Sequence, residues 1–264
     1  MSDRPGGQVV VEALFALDVE QVFAVASVHN LPILEAVARH GGIAVGNVRH
    51  EQSAVHAADG YARATGRLGV ALTSTGPGAA NAMGGLFEAR FASSPVLMIT
   101  GQLESRFYGQ GRGYLHEAER QADMLRTVTR ETHTVRRIED VGDAVVAAGR
   151  SARAGRPQPT AVEIPVDLQY ARTDAPPPSA ASVLPTAPRA DRLDEAARII
   201  SAARRPVIWA GGGVVGADAT DALRSLVNRP DWEHAKANTD DEGSSRTASP
   251  GVMAPWWRHR SSRG

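Results

Sequence analysis

Apolar positions between Gln8 and Tyr170 alternate between helical spacing and short continuous runs. Val22–Val25 is a run of the kind found in buried strands, whereas residues 9–17 repeat their apolar side chains at helical spacing. The same alternation predicts strands at 22–25, 43–48, 69–75, 95–100 and 160–164, and helices at 9–17, 31–39, 52–65, 81–92, 117–127 and 141–154. Strands separated by such helices predict right-handed crossovers and a parallel sheet covered on both faces. We therefore expect an α/β fold, a doubly wound parallel sheet, over residues 1–172.

The pattern changes after this first domain. Residues 173–190 are rich in proline and small residues, which predicts an extended linker. Residues 191–227 resume the alternation, with a helix over 193–203, a strand over 206–210 that leads into three glycines, and a helix over 218–227. We interpret residues 191–227 as the start of a second, truncated α/β domain.

Residues 228–264 differ in character from everything before them. They contain three of the four tryptophans and the only lysine, Lys236, and they show neither helical nor alternating periodicity. A segment of this composition cannot bury a core. Our hypothesis is that this irregular tail is translated out of the ancestral reading frame or was appended after a truncation. A natural tail without a packed core is the alternative.

Composition excludes several classes of function. Hydrophobic residues make up 42% of the chain, which is enough for a packed core, and the formal net charge is zero. Zero net charge gives no electrostatic reason to expect nucleic acid or a membrane as a partner. No apolar run approaches the ~20 residues of a spanning helix, and the amino terminus lacks a signal-peptide pattern. We expect a cytoplasmic protein. The absence of cysteine excludes disulfides and thiolate metal sites.

Two segments at predicted strand ends carry candidate chemistry. Arg49-His50-Glu51 opens a predicted helix at the edge of the sheet where open parallel sheets bind ligands. Taken alone, Glu51 is explained more simply as an acidic residue favoured by the helix dipole. The segment Thr73–Gly78, followed by Asn81, allows close backbone approach through its glycines. Its spacing is neither a dinucleotide fingerprint nor a Walker motif.

The order of the motifs is more specific than any one of them. The chain carries Arg49-His50-Glu51, Ala58-Asp59-Gly60-Tyr61-Ala62-Arg63, Thr75-Gly76-Pro77-Gly78, Asn81, Ser94-Pro95 and Ile99-Thr100-Gly101 in that order. This series resembles the pyrimidine-binding domain of the thiamine-diphosphate-dependent enzymes that include acetolactate synthase, pyruvate oxidase and benzoylformate decarboxylase. The resemblance covers about residues 8–170 and continues more weakly to residue 213, where the family's central domain would begin.

The resemblance implies roles for individual residues. Glu51 matches the glutamate that bonds a ring nitrogen of the cofactor's aminopyrimidine and so promotes loss of the thiazolium proton, a step towards decarboxylating a 2-keto acid. Further cofactor-binding positions by the same resemblance are Ser27, Thr75, Pro77, Gly78 and Asn81. Ser27 closes Ala24-Val25-Ala26-Ser27, which stands where acetolactate synthases have a Gly-x-Pro-Gly turn.

A second departure from the synthase pattern concerns the substrate. Leu115-His116-Glu117 replaces the Phe-Gln-Glu that is usual in acetolactate synthases. His116 is a candidate catalytic acid or base facing the 2-keto acid, since an unperturbed imidazole titrates near neutral pH. An exposed loop histidine with no role explains the residue equally well.

The family's Gly-Asp-Gly segment, which binds Mg²⁺ and the diphosphate, is missing from the sequence. The resemblance then implies a catalytic fragment that is inactive alone, with Mg²⁺ held by an absent domain, a homo-oligomer in the complete enzyme, and FAD possible in full-length relatives. A pyrimidine-domain subunit that works with a separate diphosphate-domain partner chain is one alternative, and a non-catalytic interaction module is another. A Rossmann dehydrogenase is the weakest, because the glycine fingerprint is missing from the first strand–helix turn.

Overall fold

The computed structural model describes residues 3–179, 187–203 and 206–228. The chain divides into two units, Met1–Thr186 and Ala187–Gly264. The predicted irregular tail from residue 229 onward, together with residues 180–186 of the predicted linker, lies outside the described residues.

The first unit is built on a six-stranded sheet in which every neighbouring pair is parallel. The strands of the chain are β1 (Arg4–Pro5), β2 (Gln21–Ala24), β3 (Ala44–Asn47), β4 (Gly69–Thr73), β5 (Val96–Gln102), β6 (Thr132–Thr134), β7 (Thr160–Pro165) and β8 (Arg172–Thr173). The order across the sheet is β3-β2-β4-β5-β7-β6, and β1 pairs separately with β8 in antiparallel fashion. The predicted doubly wound parallel sheet is therefore confirmed.

Helices cover both faces of this sheet. In chain order the helices are α1 (Gly6–Ala16), α2 (Leu31–His40), α3 (Glu51–Thr65), α4 (Pro77–Asn81), α5 (Met83–Ala92), α6 (Gln121–Arg126), α7 (Val141–Arg153), α8 (Val166–Tyr170), α9 (Ala190–Ala202), α10 (Gly212–Gly216) and α11 (Thr220–Val227). One core contains buried residues of α1, α2 and α7, and the other contains buried residues of α3, α5 and α6. Strands β4, β5 and β7 are buried along their whole length, which explains their continuous apolar sequence.

Local sequence fixes where the helices near the sheet edge begin. The ring of His50 caps α3, because its Nδ1 accepts a hydrogen bond from the Gln52 N–H at 3.2 Å. Gly66 ends the same helix in a left-handed conformation. The single helix predicted over 81–92 is instead two, α4 and α5. Pro77 at the first position of α4 starts that helix four residues earlier than predicted.

Other sequence-based boundaries need correction. The predicted helix over 117–127 shortens to α6, because residues 117–120 belong to the preceding loop and turn. Strand β6 is missing from the prediction, since three residues are too few to give a clear alternating pattern. Thr173, the first residue of the predicted linker, pairs with Arg4.

The second unit contains α9, α10 and α11 in its described part. The predicted strand over 206–210 is wrong, since these residues have no regular structure and Val207 and Trp209 are each 81% exposed. A buried parallel strand needs hydrogen-bonded neighbours on both sides, and the described residues of this unit contain no other strand. None of the described helices combines the length and the apolar character needed to cross a membrane.

Candidate functional site

The order of the strands marks one edge of the sheet as the place for a ligand. The chain passes from β2 outward to β3 and then returns to place β4 on the other side of β2. Such a reversal opens a crevice beyond the carboxyl ends of β2 and β4. Three segments follow these strand ends: the loop at residues 25–30 after β2, the start of α3 after β3, and the turn at residues 74–78 after β4.

Glu51 is the first residue of α3, and its side chain is buried, with 8% exposure. Its Oε2 accepts a hydrogen bond from Asn81 Nδ2 at 3.1 Å, while Oε1 accepts none from the described residues. A buried carboxylate at a helix start is favoured by the dipole of that helix. The site therefore holds one fixed carboxylate with one oxygen free to bind.

The turn after β4 owes its shape to glycine. Gly76 has φ 56° and ψ −112°, a conformation that residues with a Cβ atom avoid. A Cβ at this position would overlap the backbone carbonyl of His116. Gly78 is equally restricted, since a Cβ there would lie 2.6 Å from Ser74 Cβ and 2.7 Å from Glu51 Oε1. The turn thus contacts the loop of His116 on one side and the carboxylate of Glu51 on the other.

The loop after β2 is clamped by Asn30. Its Nδ2 donates to the Val25 carbonyl at 2.9 Å, and its Oδ1 accepts from the Ser27 N–H at 2.9 Å. Ser27 Oγ shares a hydrogen bond of 2.7 Å with Ser74 Oγ, so this loop is joined directly to the turn after β4. Sequence reasoning singles out Ser27 but misses Asn30 and Ser74.

His116 lies in the loop after β5 and has a left-handed backbone, with φ 64°. Its ring faces that of His29, with the ring centroids 5.5 Å apart. Burial, and secondarily the nearby His116 ring, lowers the pKa of His29 below its ordinary value of 6.5. Sequence reasoning gives no role to His29, which is 87 positions from His116 along the chain.

A buried network of hydrogen-bonded polar side chains supports the turn after β4. Gln121 Oε1 accepts from the Gly76 N–H at 2.6 Å and from Thr75 Oγ1 at 2.9 Å. Its Nε2 donates to Glu163 Oε1 at 2.7 Å, and Glu163 Oε2 accepts from Thr134 Oγ1 at 2.6 Å. Sequence reasoning misses this network, although a glutamate inside the apolar strand Thr160-Ala161-Val162-Glu163-Ile164 is a visible signal, since buried carboxylates need partners.

The structure brings the sequence-predicted site residues to one edge of the sheet but gives them different surroundings. Glu51 contacts both Gly78 and Asn81, whereas the Thr75 side chain is buried and bonded to Gln121. Pro77 is exposed at the start of α4. Across the described part of the chain, no three His, Cys, Asp or Glu side chains are grouped as a metal site requires.

Comparison with known proteins agrees with this geometry. The family model described as "Thiamine pyrophosphate enzyme, N-terminal TPP binding domain" matches residues 4–124, which include all of the site segments above. The first domain belongs to the thiamine pyrophosphate enzyme family. Residues 4–124 are therefore the N-terminal thiamine pyrophosphate (thiamine diphosphate) binding domain of this family.

The chain is similar to acetolactate synthases of bacteria and plants over most of its length. The chain is 37% identical to an acetolactate synthase of Mycobacterium bovis over 84% of its own length and 36% of the relative's. It is 36% identical to chloroplastic acetolactate synthase 2 of Nicotiana tabacum, over 85% of the chain and 34% of the relative. It is 35% identical to an acetolactate synthase large subunit of Corynebacterium glutamicum, over 84% and 36%. The chain therefore spans about a third of the length of these relatives.

Proposed function

We propose that the first domain binds the aminopyrimidine half of thiamine diphosphate, with Glu51 as the carboxylate that holds a proton against the ring. The observation that carries this proposal is the buried Glu51 carboxylate, fixed through Oε2 by Asn81 while Oε1 has no partner among the described residues. Gly78 packs directly against this carboxylate, since a Cβ at position 78 would lie 2.7 Å from Oε1. A ring nitrogen fits such a group when one proton lies between them, because the carboxylate oxygen and the ring nitrogen are both hydrogen-bond acceptors.

Each residue at the site then has a physical task. Glu51 exchanges a proton with the ring nitrogen, Asn81 holds the carboxylate in place, and Gly78 leaves space for that carboxylate. When bound, the cofactor supplies an electron sink for chemistry at the carbonyl carbon of a 2-keto acid.

The finer assignment follows from the acetolactate synthase relatives. We assign the ancestral activity to a 2-keto acid carboligase or decarboxylase of the acetolactate synthase type, in the cytoplasm and as a homo-oligomer. Thr75, Pro77, Ser27 and, facing the substrate, His116 complete the proposed site. FAD belongs to this proposal only through full-length relatives. We assign Mg²⁺ and the diphosphate end of the cofactor to a diphosphate-binding domain other than the first domain.

The domain that binds the diphosphate end of the cofactor can be supplied in two ways. It lies either in a domain beyond residue 228 of a complete enzyme, in which case residues 1–264 are inactive alone, or in a separate partner chain. Pull-down of the tagged chain from its own cells, followed by identification of captured proteins, distinguishes them. A captured protein with a Gly-Asp-Gly segment and a downstream asparagine supports the partner, whereas a chain that stays alone supports the fragment.

The binding proposal is tested by titrating the full chain with thiamine and with thiamine diphosphate, each with and without Mg²⁺. We expect weak binding of both compounds with similar affinity, because the ring and not the diphosphate is recognised. Glu51→Gln should weaken both by about tenfold, the value of one hydrogen bond to a charged group. Glu35→Gln, which changes an exposed carboxylate on α2, should have no effect.

Two other results would contradict the proposal. Tight, Mg²⁺-dependent binding that Glu51→Gln leaves intact would show that the chain recognises the diphosphate by other residues, and the proposal would be wrong. In a complete enzyme, Glu51→Gln should lose most turnover while remaining folded. Turnover that Glu51→Gln does not reduce would overturn the role proposed for Glu51.

A further inference from the structure

His29 and His116 form a pair of facing imidazoles at the carboxyl-terminal edge of the sheet. Their rings come from the loops after β2 and β5, with centroids 5.5 Å apart and planes tilted by 38°. His29 is 6% exposed, and the Nδ1 atoms of both rings are buried without a hydrogen-bond partner among the described residues. Buried polar atoms are nearly always paired in proteins, so two such atoms on facing rings require an explanation.

The backbone of both loops holds the rings in this arrangement. The His29 carbonyl accepts from Gln169 Nε2 at 2.7 Å, and its N–H donates to Ser27 Oγ at 3.3 Å. His116 adopts a left-handed backbone, which is uncommon for a residue other than glycine, and its carbonyl packs against Gly76. The facing geometry is therefore imposed by the loops and not by a bond between the rings.

The pair lies close to the proposed pyrimidine site. Gly76 contacts the backbone of His116, and Gly78, two residues further along the turn, contacts Glu51. Two residues of chain span at most roughly 7 Å. The Ser27–Ser74 hydrogen bond also connects the His29 loop to this turn. A group bound by the N–H groups of both rings would thus lie next to a cofactor ring held by Glu51.

The hydrogen-bonding groups of the two rings determine which kind of ligand group they can bind. The pKa of His29 lies below its usual value because of burial and the neighbouring His116 ring, so the neutral form of the His29 ring is favoured. Each neutral ring carries one N–H donor. Two donors on facing rings match the two oxygens of one carboxylate, and a negative charge between them favours both N–H dipoles.

We propose that His29 and His116 together bind the carboxylate of the 2-keto acid substrate, one ring N–H to each oxygen. This inference rests on the proposed function, because it names the substrate group that the same site would hold. His29 thereby becomes a specificity-determining residue, and His116 acts with it instead of acting alone.

The test uses the full chain labelled with ¹⁵N in its histidine rings and titrated with pyruvate. We expect pyruvate to shift the ring nitrogen signals of His29 and His116 but not those of His40, which is exposed at the end of α2. Methyl pyruvate, which lacks the carboxylate, should shift neither ring. His29→Leu and His116→Leu should each weaken pyruvate binding by about tenfold, whereas His40→Leu should not change it.

The inference can still be tested if one of the leucine substitutions prevents folding. The ring signals of the unmodified chain report binding without any substitution, and His29→Gln keeps a side-chain donor and should retain part of the affinity. Equal responses to pyruvate and methyl pyruvate, or no response of either ring, would overturn the inference. The Glu51-dependent titration with thiamine is independent of this result, so failure of the histidine pair and failure of the pyrimidine site can be told apart.

Discussion

Gly78 lies directly against the carboxylate of Glu51. A Cβ atom at position 78 would be 2.7 Å from Glu51 Oε1 and 2.6 Å from Ser74 Cβ, closer than Cβ atoms approach their neighbours. Glycine at this position is therefore a steric requirement of the carboxylate and not only a turn residue. The glycines of the turn and the glutamate of α3 form one unit, although 27 positions separate residues 51 and 78.

Gly78→Ala should displace the Glu51 carboxylate. The added methyl group has no space beside two packed side chains, so we expect a loss of about 1–3 kcal/mol in the free energy of unfolding, together with weaker thiamine binding. Gly60→Ala is the matched control, because a Cβ at this helical position of α3 meets nothing within 4 Å. That control should gain about 0.5–1 kcal/mol from higher helix propensity. Urea unfolding measures both; equal effects of the two substitutions would contradict the steric argument.

Gly76→Ala should be more harmful than an ordinary left-handed glycine substitution. Gly66 has φ 72°, and a methyl group added there would meet nothing within 4 Å, so Gly66→Ala carries only the left-handed penalty of about 1–2 kcal/mol. Gly76→Ala adds an overlap with the His116 carbonyl to an unfavourable φ of 56°. We expect a larger loss of stability than for Gly66→Ala in the same urea assay. A loss no greater than that of Gly66→Ala would mean that the His116 loop moves to accommodate the methyl group without any loss of stability.

The layers of the first domain could be predicted from the sequence because strands β4, β5 and β7 are buried along their whole length and appear as continuous apolar runs. The sequence also sufficed to single out Glu51, Gly78 and Asn81, since their order along the chain resembles a known pattern. It did not reveal that His29 faces His116, because that contact depends on how two loops distant in sequence meet. The strand predicted at 206–210 failed for a related reason: an apolar run specifies a strand only where neighbouring strands exist to pair with it.

Gln121→Leu should destabilise the protein through the buried network. The substitution leaves the Gly76 N–H, the Thr75 hydroxyl and one Glu163 oxygen with fewer partners in a buried site. We expect a loss of about 2–4 kcal/mol, because each buried polar group left unpaired is costly. Gln110→Leu, at an exposed loop position, should stay within about 0.5 kcal/mol of the unmodified protein.

A double-mutant cycle separates this network from simple loss of packing. Gln121→Leu removes the donor and Glu163→Leu removes the acceptor of the same 2.7 Å hydrogen bond, so their effects on the free energy of unfolding should not add. We expect a coupling of about 0.5–3 kcal/mol between them. Strict additivity in the cycle would show that Gln121 stabilises the turn without help from Glu163.

The stability of the domain should fall in mild acid because of His29. Burial and the His116 ring lower the pKa of His29 in the folded state, whereas the unfolded chain keeps the ordinary value of 6.5. The unfolded state therefore binds more protons than the folded state as the pH drops below 6.5, so the free energy of unfolding decreases from that pH down to the folded pKa. Well above pH 6.5 the His29 ring is neutral in both states and makes no pH-dependent contribution. Urea midpoints of the unmodified protein and of His29→Gln, compared at pH 7.5 and 5.5, isolate this effect, because glutamine does not titrate. We expect the midpoint to fall less between the two pH values in His29→Gln. A fall of equal size in both proteins would assign the acid sensitivity to other groups and would show that His29 is free to take up a proton in the folded domain.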